Sequence, residues 1–488
     1  MLFELTSEFR AAAHYDVCII GAGAAGISAA RKLARAGHSV LLAEGGGLEY
    51  SELSQSIYRG DVIGDPYFEL DTSRLRYFGG TTNHWAGISR PLDARDFRPK
   101  AYVTFTTWPI ERRDLDPYLD ETLDILGLEP IPNDVPLPGT ADLQQIFWGF
   151  SGRLSFGEKF HDEIRRSENI SLLLNANLIG FDFRDLRVTA AHFENYDRHR
   201  VTIEAEMFVL ACGGIENSRI LLIQNAKMNN AIGSASDLVG RYFVEHPHFT
   251  IGEAFLYHDN PFQINESAKA IYLTPTVGFM ERSEILNCRI SLDLVRQREA
   301  WQGFVQTAMC KVAPEISGAL LEAIGKRYVC SGSVRAIWEQ EPRAGNRIAL
   351  AEEVDFFGNP RAQMIWRKSP LDKKTFTTMA LRVGRYLAEM DAGRLRLDDW
   401  VLAGDGEYPA HDRLGGHHHM GGTRMATSPR DGVVDQDCRV FGTANLFIAG
   451  SSVFPNGGQS NPTLTIVQLS LRLADFLTTE LQRAKQAS

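Results

Sequence analysis

The feature that most constrains this chain is a glycine turn set between a short apolar strand and an alanine-rich helix near its start. Tyr15-Asp-Val-Cys-Ile-Ile20 is a β-branched apolar run, the composition of a strand buried on both faces of a parallel sheet. It leads directly into Gly21-Ala-Gly23-Ala24-Ala25-Gly26, and then into a helix expected over Ile27 to Ala36 that Gly37 closes. His38-Ser-Val-Leu-Leu-Ala43 supplies a second strand ending at Glu44. Together these make the complete strand–turn–helix–strand–acid unit of a dinucleotide-binding fold. Gly21 permits the tight turn, Gly23 lets backbone approach a pyrophosphate, and Gly26 allows close helix–strand packing. Ala24 and Ala25, inside the turn, are counted with these glycines as binding the cofactor, and the positive end of the helix that follows faces the diphosphate. Glu44 is placed to accept from a ribose hydroxyl and would repel a 2′-phosphate. The unit by itself leaves the identity of the dinucleotide open.

No second unit of this kind follows, which argues against an enzyme that needs separate FAD and NAD(P)H Rossmann domains. Three later segments narrow the choice. Arg76-Tyr-Phe-Gly79-Gly80-Thr81-Thr82-Asn83-His84-Trp85-Ala86-Gly87 is rich in glycine and hydroxyl groups and carries a His-Trp pair. Its glycines let backbone pass close to a planar ring, while Thr81, Asn83 and backbone N–H groups can serve ring heteroatoms. Met207 to Leu222, with Ala211 at its turn, reads as a strand, a turn and a helix that return the chain to the first sheet. Ala444 to Ala449 is a third such strand, followed by Gly450 and a glycine-rich stretch. Asn461 is expected at the N-cap and Pro462 at the first position of a helix from Thr463 to about Gln482. Its residues Ile466, Leu469, Leu473 and Phe476 are expected to face the core, and its positive end would face charge developing on a bound ring. Pieces of one α/β unit so far apart imply that another domain is inserted between them.

Composition removes several other classes. A net charge of -10 without any Lys/Arg run argues against nucleic acid as a partner. Cys18, Cys212, Cys288, Cys310, Cys330 and Cys438 are scattered, with no CxxC pair, and read as buried thiols in a reducing compartment. The start has no basic stretch followed by a long apolar run, and Val17 to Ala30 is too short and glycine-rich to span a bilayer. A cytoplasmic protein without a membrane segment is therefore expected.

The most unusual stretch is Gly415-Gly-His417-His418-His419-Met420-Gly421-Gly422-Thr423-Arg424-Met425. Consecutive side chains on an extended segment point to alternate faces, so three adjacent imidazoles cannot converge on one ion. No metal site is expected. A general base fits better, because a neutral imidazole accepts the proton of an alcohol while its hydride leaves.

In this order and spacing, GAGAAG, GGTTNHW, VLACGGIEN, VGRYFVEHPH, HHMGGTRM and NLFIAGSSVFPNGGQSNPTLT resemble the glucose–methanol–choline (GMC) oxidoreductases. The likeness covers nearly the whole chain and is greater to compact bacterial members and pyranose oxidases than to long fungal glucose oxidases. It implies an α/β fold: a discontinuous Rossmann-type FAD-binding domain (residues 12–100, 165–244 and 426–485) with an inserted α+β substrate domain (101–164 and 245–425) on a mainly antiparallel sheet. It implies FAD, oxidation of an alcohol CH–OH group, and oxygen or another electron acceptor as second partner. The family's base is a histidine followed three residues later by glycine, which points to His418 ahead of His419 and His417. Its second active-site position is Asn461 here, which cannot act as a base and would hydrogen-bond the substrate oxygen. His84 stands where pyranose oxidases attach FAD covalently. Gly422 replaces a hydroxyl residue common in relatives, which would leave the site wider. The resemblance favours a secondary hydroxyl of a sugar, glycoside or cyclic polyol, with aromatics between Tyr242 and Trp366 stacking on the ring; the family also oxidises sterol, aryl and aliphatic alcohols. The rivals are a flavin-dependent hydroxylase reduced by NAD(P)H and a non-catalytic flavin-binding scaffold.

Overall fold

The computed structural model describes residues 1–12, 14–104, 107–233, 237–256, 260–264, 270–294, 332–404, 406–410 and 415–487. Cys310 and Cys330 lie outside the described residues. Cys18, Cys212, Cys288 and Cys438 are free thiols.

The apolar runs of the sequence assemble into one parallel sheet of six strands among the described residues. Its order is Leu2–Glu4, Ile170–Leu174, Val40–Ala43, Tyr15–Ile20, Ala205–Leu210 and Leu446–Ile448. Every neighbouring pair is parallel, with Val17 opposite both Val40 and Met207. The four inner strands are buried almost throughout, which is why they read as continuous apolar runs and do not alternate. Strand Leu2–Glu4 sits at the edge of this sheet, ahead of the domain start expected at residue 12.

Helix Ala24–Arg35 begins inside the glycine turn, with Gly23 at its N-cap, earlier than the expected start at Ile27. It packs beside the C-terminal helix Thr463–Ala487, which is longer than expected. Leu469 and Leu473 of that helix are buried, whereas Ile466 and Phe476 are only partly covered. A three-stranded antiparallel sheet, Asn177–Arg184, Arg187–Glu194 and Arg200–Ile203, lies against the parallel sheet. There Phe181 meets Phe208 edge-on with ring centres 6.0 Å apart.

A second layer is, among the described residues, a seven-stranded sheet in the order Gly393–Leu397, His248–Leu256, Gly332–Trp338, Cys288–Asp293, Ala270–Pro275, Leu143–Ile146 and Val135–Pro136. All of its pairings are antiparallel. Helix Pro370–Glu389 covers it, burying Phe376, Met379, Ala380 and Val383. Ser369 and Asp372 form a reciprocal capping box at its start, and Pro370 occupies the first turn. The chain is thus a Rossmann-type sheet joined to an α+β unit.

Two contacts cross the expected domain boundaries. Strand Gly60–Gly64 pairs with Pro360–Trp366 in a small separate sheet. Residues 101–164 divide: Leu143–Ile146 joins the antiparallel sheet, while helices Leu119–Leu126 and Phe156–Arg166 bury Leu126, Phe156 and Ile164 in the core of the parallel sheet. The apolar faces of these amphipathic helices are buried against the core of the parallel sheet. Among the described residues no helix is long and apolar enough to cross a membrane.

Candidate functional site

A cleft of about 450 Å³ opens at the ends of the parallel strands where the glycine turn, the loop after Gly79, and the start of the C-terminal helix meet. This is where a doubly wound sheet leaves room for a ligand. Gly21 has φ +106°, and a Cβ there would stand 2.6 Å from the Ala211 carbonyl oxygen. A Cβ on Gly26 would stand 1.9 Å from the Gly21 carbonyl oxygen. Both glycines are demanded by protein packing. Gly23 differs: a Cβ would meet nothing within 4 Å, so the space above it is open. That open cradle is what a diphosphate needs at a helix N-terminus, and the residues present fit FAD.

Glu44 lines the cleft, buried, with its carboxylate accepting from the backbone N–H of Ala22 (2.9 Å) and of Gly46 (3.0 Å). It therefore braces the glycine turn. Beyond it lies a smaller hollow of about 80 Å³ that shares Gly21, Glu44, Tyr58 and Cys212 with the cleft and reaches Asn177 and Leu178. Asn217 ties the other rim together. Its side chain accepts from Cys212 N–H (2.8 Å) and donates to Ala449 carbonyl (3.1 Å) and Ser452 Oγ (3.0 Å). The Ala211 turn and the Gly450 turn are thereby held side by side.

Of the residues expected from the sequence, Gly21, Gly23, Ala24, Ala25 and Glu44 line the cleft from one side. Gly80, Thr81, His84 and Trp85 line it from the loop. Ala211, Gly450, Asn461, Pro462 and Thr463 complete it with His418. Gly26, Gly79 and Asn83 are not among the lining residues. Asn83 instead donates to Phe78 carbonyl (2.8 Å) and accepts from Ser155 Oγ (2.7 Å), holding the loop from behind. A Cβ on Gly79 would strike that side chain at 2.3 Å. These three support the wall and do not form it.

Asn461 does not cap the helix, contrary to expectation. The first helical bond runs from Ile466 N–H to the carbonyl of Pro462, so the cap falls one residue later. The Asn461 carboxamide is engaged elsewhere. It donates to Ile88 carbonyl (2.8 Å) and accepts from Arg289 Nη2 (3.1 Å). A carbonyl only accepts and a guanidinium only donates, so the amide orientation is fixed by chemistry. One amide N–H is left for a ligand. Arg289 is buried, also donates to the Gln459 carbonyl, and lies 4.2 Å from the centre of the Trp148 ring. Burial, first of all, lowers its pKa to about 9.

The three adjacent histidines all line the cleft, but their contacts differ. His417, at φ +57°, lies against Phe68 with ring centres 4.1 Å apart. His419 is buried and its Nε2 is 3.0 Å from the Tyr67 hydroxyl. His418 lines the cleft, and its Nδ1 is 2.9 Å from Nδ1 of His246. Burial, and then the neighbouring imidazoles and Arg289, holds His418 well below its ordinary pKa, so it is neutral at neutral pH. The sequence expectations gave no role to His246, although it sits in the VGRYFVEHPH segment. Backbone pairing of Val244 with Met420, and Gly416 N–H bonding to His246 carbonyl, sets the two segments side by side. Glu245, also unforeseen, accepts from the backbone N–H of His246 (2.7 Å) and of His418 (2.8 Å) and meets the Tyr67 hydroxyl. Burial raises its carboxyl pKa to about 7.

Two further expectations are corrected. Gly422 does not widen the site: it is absent from the cleft wall, and a Cβ there would stand 2.3 Å from Ser218 Oγ on helix Gly213–Lys227. The aromatics from Tyr242 to Trp366 that the structure describes do not line the cleft. Trp338 stacks on Phe376 at 4.5 Å, Trp366 is fully buried, and the Tyr242 ring lies under Arg424. Trp301 lies outside the described residues. The aromatic faces on the cleft are those of Trp85 and Tyr58.

Comparison with known proteins agrees with this geometry. Residues 342–470 match the family model described as GMC oxidoreductase, and residues 16–133 match that of FAD dependent oxidoreductase. The large subunit of fructose dehydrogenase from Gluconobacter japonicus is 26% identical, with 96% of this chain and 98% of that protein covered. Paromamine 6'-oxidase from Streptomyces fradiae is 23% identical over 96% of this chain and 92% of its own length. A C-glycoside 3-oxidase from Microbacterium trichothecenolyticum is 33% identical over a shorter stretch, 28% of this chain and 26% of its own. Among solved structures, pyridoxine 4-oxidase superposes with a TM-score of 0.58 at 13% identity, covering 95% of this chain and 99% of that one, a likeness of fold.

Proposed function

This chain belongs to the GMC oxidoreductases, and from that premise we propose that it oxidises a secondary hydroxyl of a sugar, glycoside or cyclic polyol. It is an FAD-dependent enzyme acting on alcohol CH–OH groups. FAD bound in the cleft supplies the hydride acceptor.

In this reading His418 takes the hydroxyl proton at Nε2. Its Nδ1 is occupied by His246, and Nε2 has no partner among the described residues. Burial keeps the ring neutral and thus ready to accept. Asn461 donates its remaining amide N–H to the substrate oxygen, where negative charge grows as the proton departs. Arg289 polarises that amide from behind. Thr463 opens the C-terminal helix at the cleft, and the helix's positive end favours negative charge there. The observation that carries the reading is that His418 and Asn461, from separate segments, line one cleft with the glycine turn.

The sugar assignment draws on the relatives, two of which are described as acting on fructose and on paromamine. Anaerobic titration of the yellow protein with sugars, glycosides, sterols and simple alcohols tests it. Bleaching of the flavin by a sugar or glycoside is expected. Bleaching only by NADPH would instead identify a hydroxylase. Admitting air to the reduced protein then separates an oxidase, which regains colour at once, from a dehydrogenase. Acid precipitation decides the role of His84: covalent flavin stays with the pellet.

A further inference from the structure

We infer that His246 is a positioning residue that fixes the single proton of neutral His418 on Nδ1, leaving the lone pair on Nε2 for the substrate. The inference rests on the reading of His418 as the base.

The argument runs from fixed acceptors inward. His246 is fully buried, and its Nε2 lies 2.8 Å from the Gly458 carbonyl and 3.2 Å from the Gly457 carbonyl. A carbonyl oxygen has no proton to give, so His246 must carry its own on Nε2. Burial, and then the Arg289 charge, depresses the His246 pKa to about 3, so the ring carries that one proton only. Its Nδ1 therefore holds a lone pair. That lone pair faces His418 Nδ1 at 2.9 Å, and a contact of this length needs one proton between the two nitrogens. His418 supplies it. The neutral ring of His418 then has only Nε2 left as an acceptor.

The acceptors at the end of the chain are themselves immobilised. Asn456 donates to the Asp96 carbonyl at 2.8 Å, which ties this loop to the neighbouring wall. The lock therefore ends on backbone and does not titrate. It differs from the carboxylate that orients the histidine of serine hydrolases, which also stabilises the imidazolium. A neutral imidazole orients His418 without adding charge, and so does not raise its affinity for a resting proton.

Two variants of the holoenzyme separate the lock from bulk packing. His246→Leu removes the acceptor, while His246→Asn restores one at the δ position. In ¹⁵N spectra of histidine-labelled protein, with the His418 resonances assigned by their loss in His418→Ala, wild type should show the proton on Nδ1 and the lone pair on Nε2. His246→Leu should lose that single tautomer, and its limiting rate of anaerobic flavin reduction should fall about 10–100-fold at unchanged substrate affinity and flavin content, short of deleting the base. His246→Asn should recover both readouts to within about 3-fold of wild type. A proton found on Nε2 of wild-type His418, or a single Nδ1–H tautomer persisting in His246→Leu at the wild-type rate, overturns the inference. Wild-type reduction rates in His418→Ala would overturn the functional reading instead, and would leave the tautomer measurement standing.

Discussion

The two ends of the cleft are built on opposite principles. At the dinucleotide end the working parts are absences: Gly23 offers open space, while Gly21 and Gly26 let backbone segments touch. At the catalytic end the working parts are side chains held by other side chains, His418 by His246 and Asn461 by Arg289. The first end is set by excluded volume and lies within a few consecutive residues. The second is set by where protons sit, and it draws on the His248–Leu256 and Cys288–Asp293 neighbourhoods of the second layer. A single Cβ is thus the sharpest probe of one end, and removal of a donor or acceptor the sharpest probe of the other.

The largest effect is expected within the glycine turn. Gly23→Asp should yield a folded chain with no flavin, since its side chain has room but places a carboxylate where the diphosphate would lie. Gly26→Ala should instead cost fold stability, at least the ~1–3 kcal/mol of an overpacked core, because its Cβ would overlap the Gly21 carbonyl. Visible absorbance and thermal melting separate the two. A yellow Gly23→Asp protein would erase the distinction drawn between these glycines.

Next in size is the base. His418→Ala should slow anaerobic flavin reduction by roughly 10²–10⁴-fold, with flavin still bound. Arg289→Met should cost less, about 10–100-fold, the worth of one hydrogen bond to a charged donor. The Asn461 oxygen would then lose its donor, and only the Ile88 carbonyl would still hold the amide in place. Equal losses in the two variants would mean that Arg289 acts on the substrate directly and not through Asn461.

The contrast also explains what the sequence made legible. Strand Tyr15–Ile20, the glycine turn and strand Val40–Ala43 were readable because a buried parallel strand and a tight turn each leave a local signature. His418 and Asn461 were reachable only through the resemblance. His246, Glu245 and Arg289 were not reached. His246 and His418 meet through the pairing of Val244 with Met420, and nothing in either segment announces the other. Asn83 misled for a related reason: a polar residue in a glycine loop serves a ligand or its own backbone, and only the position of Ser155 decides which. Residues 101–164 were assigned whole to one domain because pattern reveals an amphipathic face but not which sheet covers it.

The last effect expected is on stability alone and tests whether the catalytic end is sensitive to protons beyond His418. Glu245 is buried and its carboxyl titrates near 7 in the folded protein, against an ordinary 4.5, chiefly because burial disfavours the anion. Between these values the folded chain holds a proton that the unfolded chain has released, so stability falls as pH rises through the window. Below about 4.5 the contribution is complete, and above about 7 it is lost. Glu245→Gln keeps an oxygen to accept from the His246 and His418 backbone N–H groups and removes the titration. The variant should therefore gain on wild type by up to ~3 kcal/mol between pH 4.5 and 7.5, the worth of a shift of this size. Asp96 and Asp372, buried carboxyls also raised to about 7, tilt both proteins alike and cancel in the difference. Parallel melting curves for the two proteins across that range would mean that the Glu245 anion is well served in the fold, and that proton placement at this end is confined to the two histidines.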